Sequence, residues 1–251
     1  SKKISVKLRS EFNNENIQYD PVSFNRNGLS IFSDLLTFFN IFKHLRRYRP
    51  DLVLAFTIKP VIWSGIASRF LNINFYALIT GLGYSFHGET KRRKLLTMLV
   101  SSLYKLALKK SNSVIFQNLD SRDIFVKKGI IPFSKTYVVN GSGVDIKRFP
   151  ITKLPNENIT FLCLSRLLGE KGLREYSEAA KIVKNKFPDA VFNLLGPEDS
   201  SFDAISLVEV ESWSDFVNYK GVVDDVRECI SASHIYVLPS YHEGLPRSVL
   251  E

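Results

Sequence analysis

Short runs of β-branched, aromatic and aliphatic residues recur along this chain, each followed by a stretch with helical apolar spacing. No other feature narrows the possible folds as far. Residues 52–56, 73–79, 113–116 and 135–139 have the length and composition of strands buried on both faces. Between them, residues 34–48, 61–71, 91–110 and 119–128 repeat apolar side chains every three to four positions, which predicts helices. In the first of these helices, Leu35, Phe38, Phe39, Phe42 and Leu45 are expected to share the packed face. Strands alternating with helices imply crossover connections and a parallel sheet covered on both sides.

The rhythm stops at residues 149–158, where Pro150 and Pro155 stand among polar residues in the manner of a linker. A second series follows, with strands predicted at 159–164, 190–195, 216–220 and 235–238 and helices at 173–187, 224–232 and from Leu245. The expected fold class is α/β, with two Rossmann-like domains at residues 1–149 and 159–251 joined by residues 150–158. A chain of 251 residues can hold two small domains. Charge divides along the same line: residues 1–150 carry 24 Lys+Arg against 9 Asp+Glu, and residues 151–251 carry 10 against 16. Such a split fits two units, one of them facing an anionic partner or merely a solvated basic surface. Two such domains facing each other would enclose a cleft reached by the carboxyl ends of their strands.

Several function classes are set aside at this point. Cys163 and Cys229 have no spacing that marks a disulfide framework or a metal site, so a reduced, cytosolic setting is expected. The longest apolar stretches are broken by charge well short of about 18 residues, so no transmembrane helix is expected. Gly81 and Gly83 could open a dinucleotide fingerprint, but the third glycine is Phe86. No Asp or Glu lies between Glu89 and Asp120 to bind a ribose, which rejects a nicotinamide dinucleotide there. Neither a metal nor a cofactor is expected. Nucleic acid is not expected either, since the basic residues lack interleaved aromatics. The chain starts at Ser1 and stops in a helix-like pattern, and it is expected to be a piece with both ends cut.

Two motifs carry chemistry. After the strand at 159–164 comes Ser165-Arg166-Leu167-Leu168-Gly169-Glu170-Lys171-Gly172, a turn leading into a helix. Backbone N–H groups and the helix dipole at such a corner favour phosphate. Arg166 would add a planar fork and Lys171 a mobile point charge. A diphosphate leaving group gains charge in its transition state, and these cations can stabilise it. The second motif is Pro239-Ser240-Tyr241-His242-Glu243-Gly244-Leu245-Pro246-Arg247-Ser248-Val249-Leu250-Glu251. With Glu243 at a helix start and the following residues helical, its carboxylate would lie about 12 Å from that of Glu251. That exceeds the roughly 5–9.5 Å of a glycosidase pair. It suits one carboxylate at a sugar and the other at a ribose. Taken singly, each of these residues reads equally well as a solvated charge.

In combination the motifs resemble the retaining glycosyltransferases of family four, which have the GT-B fold. Leu194-Leu195-Gly196-Pro197, Tyr219-Lys220-Gly221-Val222-Val223 and the run from Ser233 to Ser240 match in order as well. The resemblance implies that Arg166 and Lys171 hold the diphosphate of a nucleotide-sugar, Glu243 the hexose and Glu251 the ribose. Arg166, Lys171 and Glu243 would be the catalytic set. Gly196, Val222, Gly244 and Leu245 would complete the donor site, with Val222 near the base. Phe56-Thr57-Ile58-Lys59-Pro60, Ile79-Thr80-Gly81-Leu82-Gly83-Tyr84 and the run from Val139 to Asp145 resemble a subgroup that extends bacterial polysaccharides on polyprenyl-diphosphate carriers. This implies Lys59 at an acceptor phosphate, with Thr80, Gly81, Gly83 and Ser142 in the cleft.

The chain departs from the family in three places. The opening strand with its glycine-rich turn, and about a hundred residues after Glu251, are expected to be missing from this stretch of chain. Thr80 also stands near a position where many relatives carry His; His87 is close by in sequence. The implied reaction transfers a hexose or N-acetylhexosamine from a UDP-sugar to a lipid-diphosphate-linked saccharide, the departing phosphate taking the acceptor's proton. Two alternatives stay open: a non-catalytic membrane-associated partner of the same fold, and a nucleotide-sugar epimerase.

Residues 91–110 begin Lys91-Arg92-Arg93-Lys94 and continue with Leu96, Leu99, Leu103 and Leu106 in one expected stripe. A basic amphipathic helix can lie on anionic lipid. The expected placement is therefore cytoplasmic and peripheral, on the inner face of the plasma membrane; the alternative is a core-packed helix with a wet basic face.

Overall fold

A parallel sheet needs a crossover between successive strands, and the computed structural model has that order twice. It describes residues 6–22, 31–82, 86 and 91–251. The chain divides into two compact units, Ser1–Val139 and Asn140–Glu251.

In unit 1, helices α1 (Val6–Asn14) and α2 (Ile31–Tyr48) precede the sheet. Strands β1 (Leu52–Phe56), β2 (Asn74–Ile79), β3 (Ser113–Phe116) and β4 (Thr136–Val138) then alternate with α3 (Ile58–Leu71), α4 (Lys91–Leu108) and α5 (Leu119–Lys127). The sheet runs β1-β2-β3-β4, all parallel, with Ala55 opposite Ala77 and Ile79 opposite Phe116. Helix α3 packs against both β1 and β2 and lies between α2 and α4. It is accordingly buried around most of its girth, through Val61, Ile62, Ser64, Gly65, Ile66, Ala67 and Ser68. At Gly65 α4 comes close: an added Cβ would stand 2.9 Å from the Ala107 carbonyl oxygen and from the Phe75 ring. Tyr104, Phe116 and Phe125 fill the core edge to face, with ring centroids 5.0 and 5.2 Å apart.

Two helix faces differ from the sequence reading. On α2, Leu35 and Phe39 are exposed, and Asp34 and Thr37 are buried instead. The reason is a pair of contacts with α3: Asp34 accepts from Lys59 at 2.8 Å, and the Phe38 ring meets Trp63 at 6.1 Å. On α4, Leu96 and Leu103 pack inward beside Val100, Tyr104, Ala107 and Leu108. Leu99 and Leu106 lie outside with Leu95 and Met98. A spacing of 3.6 residues carries positions 99 and 106 off the buried face.

Unit 2 holds β5 (Thr160–Leu164), α6 (Leu173–Lys186), β6 (Val191–Leu195), α7 (Leu207–Glu211), β7 (Asn218–Tyr219), α8 (Arg227–Ser231), β8 (Ile235–Tyr236) and α9 (Arg247–Leu250). Its parallel sheet runs β7-β6-β5-β8. Phe161 and Phe192 are register partners on β5 and β6, and their rings stack at 4.3 Å. Leu173, Tyr176, Ser177 and Ala180 form the buried stripe of α6. The Tyr176 hydroxyl donates to the Asn193 carbonyl at 3.0 Å. Helices α1 and α7 were not anticipated; α7 starts where Ser206 Oγ accepts the Glu209 N–H at 3.2 Å. Helices α8 and α9 are shorter than the sequence implies.

The units divide at residue 139, not at 149, because residues 140–158 pack onto unit 2. Gly141 lies against Leu245. His234 holds the stretch before β5 and the first residue of the strand: its Nε2 faces the Pro155 carbonyl at 3.1 Å, and its Nδ1 accepts the Thr160 N–H at 3.1 Å. Nε2 therefore carries the ring hydrogen. Among the described residues, no helix is long and apolar enough to cross a membrane.

Candidate functional site

In unit 2 the strand order reverses at β5. Strands β6 and β7 lie on one side of it and β8 on the other. Loops leaving the carboxyl ends of such a pair diverge and leave a crevice, the usual ligand position in open parallel sheets. The two motifs singled out in the sequence are the loops that leave β5 and β8.

Three contacts bind these loops together. The Tyr241 N–H donates to the Glu170 carbonyl at 3.1 Å. Gly172, at φ +68°, lies so close to the Pro239 carbonyl oxygen that no Cβ could be placed between them. Lys171 Nζ meets Glu243 Oε1 at 2.6 Å, joining residues 72 apart in sequence. Both side chains are largely shielded, at 17% and 25% exposure, so the pair is less screened than a surface ion pair.

The loop leaving β6 closes the far side. Gly196, at φ +150°, abuts the Ser165 carbonyl. Its N–H donates to Gly221 at 2.8 Å, which sets exposed Val222 beside this loop. Arg166 reaches back to this loop, its Nη1 2.6 Å from Asp199 Oδ2. Burial raises the Asp199 carboxyl, but the Ser201 donors and the Arg166 guanidinium outweigh it and leave the pKa below its ordinary value of 3.8.

Lys171 and Arg166 are thus each held by one carboxylate. An ammonium has three N–H donors and a guanidinium five, so both retain donors for an anion. Lys171 sits in a 3-10 turn (Gly169–Lys171) just before α6. Glu243 is in the turn before α9, not at a helix start; the helix begins at Arg247, after Pro246. Only Arg247–Leu250 are helical, so the helical spacing assumed between Glu243 and Glu251 does not hold. Glu251 accepts from Arg247 Nε at 2.8 Å. It also borders a cavity of about 320 Å³ with Arg148, Phe149, Arg227 and Glu228. Exposed Ser142 adjoins Gly141, and Gly141 lies against Leu245, so that loop stands beside Glu243, Gly244 and Leu245.

The remaining expected residues belong to unit 1. Lys59 is in the first turn of α3, paired with Asp34. Thr57, at the β1–α3 corner, has φ +64° and ψ 166°, a strained backbone for a β-branched residue. Thr80 and Gly81 follow β2, half-buried, on the neighbouring strand end. Gly83 and His87 lie outside the described residues. The sequence reading did not single out Asp199, the partner of Arg166; the one signal was its place shortly after Gly196-Pro197.

Residues 145–251 match the model of the glycosyl transferases group 1, and residues 4–118 match that of the glycosyl transferase 4-like family. An N,N'-diacetylbacillosaminyl-diphospho-undecaprenol alpha-1,3-N-acetylgalactosaminyltransferase of Campylobacter jejuni is 31% identical over 91% of this chain and 63% of its own length. A UDP-Gal:alpha-D-GlcNAc-diphosphoundecaprenol alpha-1,3-galactosyltransferase of Escherichia coli is 25% identical over 89% of this chain and 60% of its own. The chain therefore spans less than two thirds of either relative. Among solved structures, Anabaena HepE in complex with UDP-glucose matches at TM-score 0.67 and 17% identity, over 94% of this chain and 64% of that one. Sucrose-phosphate synthase of Thermosynechococcus elongatus matches at 0.66 and 17%, over 90% and 64%. At such identities these two speak for the fold alone.

Proposed function

The chain belongs to the glycosyltransferases, 4-like in its first unit and group 1 in its second, and from that premise we propose that it serves a retaining transfer from a UDP-sugar to a lipid-diphosphate-linked saccharide. One observation carries the reading. The Lys171–Glu243 contact lies at the strand-order reversal of unit 2, and it supports the reading because it joins the cation assigned to the phosphate with the acid assigned to the sugar.

In this reading the diphosphate takes the outward donors of Arg166 and Lys171, and Glu243 turns from Lys171 to hydroxyls of the hexose. Glu251 receives the ribose, and Val222 lies near the base. As the glycosidic bond to phosphate lengthens, negative charge grows on the leaving oxygen, where the two cations stabilise it. The acceptor hydroxyl attacks from that same side and passes its proton to the departing phosphate, which preserves the anomeric configuration. The two curated relatives are named for diphospho-undecaprenol-linked saccharides, which supports an acceptor of that class, with N-acetylgalactosamine or galactose as the transferred sugar. The reading gives Lys59, in the first turn of α3, the acceptor's phosphate, for which it would have to exchange its ion pair with Asp34.

Such an acceptor is membrane-bound, and α4 supplies a matching surface. Its outer face presents Leu95 and Met98, 63% and 62% exposed, with Leu99 and Leu106. Lys91, Lys94 and Lys105 are exposed around them, and α4 contains no acid. This is the pattern of a helix lying in the lipid interface, which supports peripheral placement on a cytoplasmic leaflet.

UDP calorimetry tests the donor site. Arg166→Ala and Glu251→Ala should each weaken UDP at least tenfold, given charge-assisted bonds worth about 1.5–3 kcal/mol. Wild-type affinity in both variants would refute the assignment.

A further inference from the structure

The loop leaving β6 carries two carboxylates that both turn back onto the loop leaving β5. Asp199 accepts from Arg166 Nη1 at 2.6 Å. Asp203 Oδ2 accepts the Glu170 N–H at 2.6 Å, and the Asp203 carbonyl accepts the Gly169 N–H at 2.9 Å. On either side of the two acids the same loops are joined by the Leu167 N–H to the Pro197 carbonyl and the Ile205 N–H to the Leu167 carbonyl, both at 3.0 Å. Gly169 permits this approach, since a Cβ there would stand 2.8 Å from Asp203 Oδ1.

The acid of the first pair is the fixed partner. The Asp199 side chain is 13% exposed against 55% for Arg166, and Asp199 Oδ1 is itself tied to the Ser201 N–H at 2.8 Å. We propose that Asp199 and Asp203 are positioning residues for a diphosphate ligand. Asp199 presents the Arg166 guanidinium, and Asp203 fixes the turn that carries Lys171. Neither touches the ligand. The inference rests on the donor-site reading above.

A carboxylate beside a phosphate also repels it, so the sign of the effect needs a physical argument. Arg166 gives Asp199 one N–H of five, and the planar fork then directs the rest in fixed directions. A guanidinium already oriented loses less freedom when it meets the phosphate. Orientation helps most when the ligand has a second phosphate to engage.

Calorimetry of the full-length protein with UDP and UMP decides this. Asp199→Asn should weaken UDP about three- to tenfold and UMP less. Added to Arg166→Ala it should cost nothing more, because the two act through one guanidinium. Asp203→Asn should likewise weaken UDP more than UMP. Unchanged or tighter UDP binding in Asp199→Asn, an equal loss for UDP and UMP, or full additivity with Arg166→Ala would overturn the proposal and leave the donor site standing. Wild-type UDP affinity in both Arg166→Ala and Lys171→Ala would overturn the donor site and this proposal with it.

Discussion

Gly172→Ala separates two costs that usually arrive together. Gly172 has φ +68°, and its missing Cβ would press on the Pro239 carbonyl. Gly143 has nearly the same backbone, φ +70°, yet nothing stands within 4 Å of its added Cβ. A left-handed conformation costs an alanine about 1–2 kcal/mol, partly offset by about 0.4–1 kcal/mol from the less flexible unfolded chain. Gly143→Ala should therefore cost about 1 kcal/mol. Gly172→Ala bears the same strain plus overpacking against a backbone atom, about 1–3 kcal/mol more. The expected loss is about 2–4 kcal/mol. The assay is urea unfolding followed by Trp213 fluorescence in a Trp63→Phe background, since Trp213 reports unit 2. Relief of the clash must also part the loops that carry Lys171 and Glu243, so Gly172→Ala should lose UDP affinity where Gly143→Ala keeps it. Equal destabilisation in the two variants, with UDP binding intact in both, would refute the close approach and the site built on it.

Burial pushes the Cys163 thiol up to about 12, with the Lys171 charge opposing. At pH 8 iodoacetamide should therefore modify half-buried Cys229 and spare Cys163 until urea is added, as intact mass would record. The Asp199 carboxyl is held below 3.8, so its contribution to stability is present above that value and is lost as pH falls through the lower folded pKa. Asp199→Asn should flatten the loss of stability below about pH 4 in urea titrations. On α4, the double variant Leu95→Glu/Met98→Glu should reduce binding to phosphatidylglycerol vesicles at least tenfold, since two partly buried apolar side chains contribute about 1.5 kcal/mol or more together. The same change at phosphatidylcholine vesicles should be small, because the lysines find no anionic headgroups there.

The alternation of apolar runs and helical periods was enough to set two parallel α/β units, and most strands begin within a residue or two of their expected positions. Local composition decides such elements, because a strand buried on both faces must be apolar along its length. The Arg166/Lys171 and Glu243/Glu251 motifs stood out in the sequence for a similar reason: cations at a strand-to-helix corner suit a phosphate and carboxylates suit sugar hydroxyls, and both can be read from residue type and spacing alone. Other features are set by contacts between segments far apart in sequence. Periodicity could not tell which leucines of α4 face outward, because positions 95, 96, 98 and 99 are equally apolar and only α3 and the sheet choose among them. The face of α2 was decided by an ion pair with Lys59, which buried Asp34 where an apolar residue was expected. The linker joined unit 2 through His234 and Gly141, neither of which marks a boundary in sequence. The pairing of Lys171 with Glu243 depends on β8 lying beside β5, and the roles inferred for Asp199 and Asp203 depend on β6 lying on its other side. Strand order in a sheet is fixed by the packing of the whole unit, and no local run of residues encodes it.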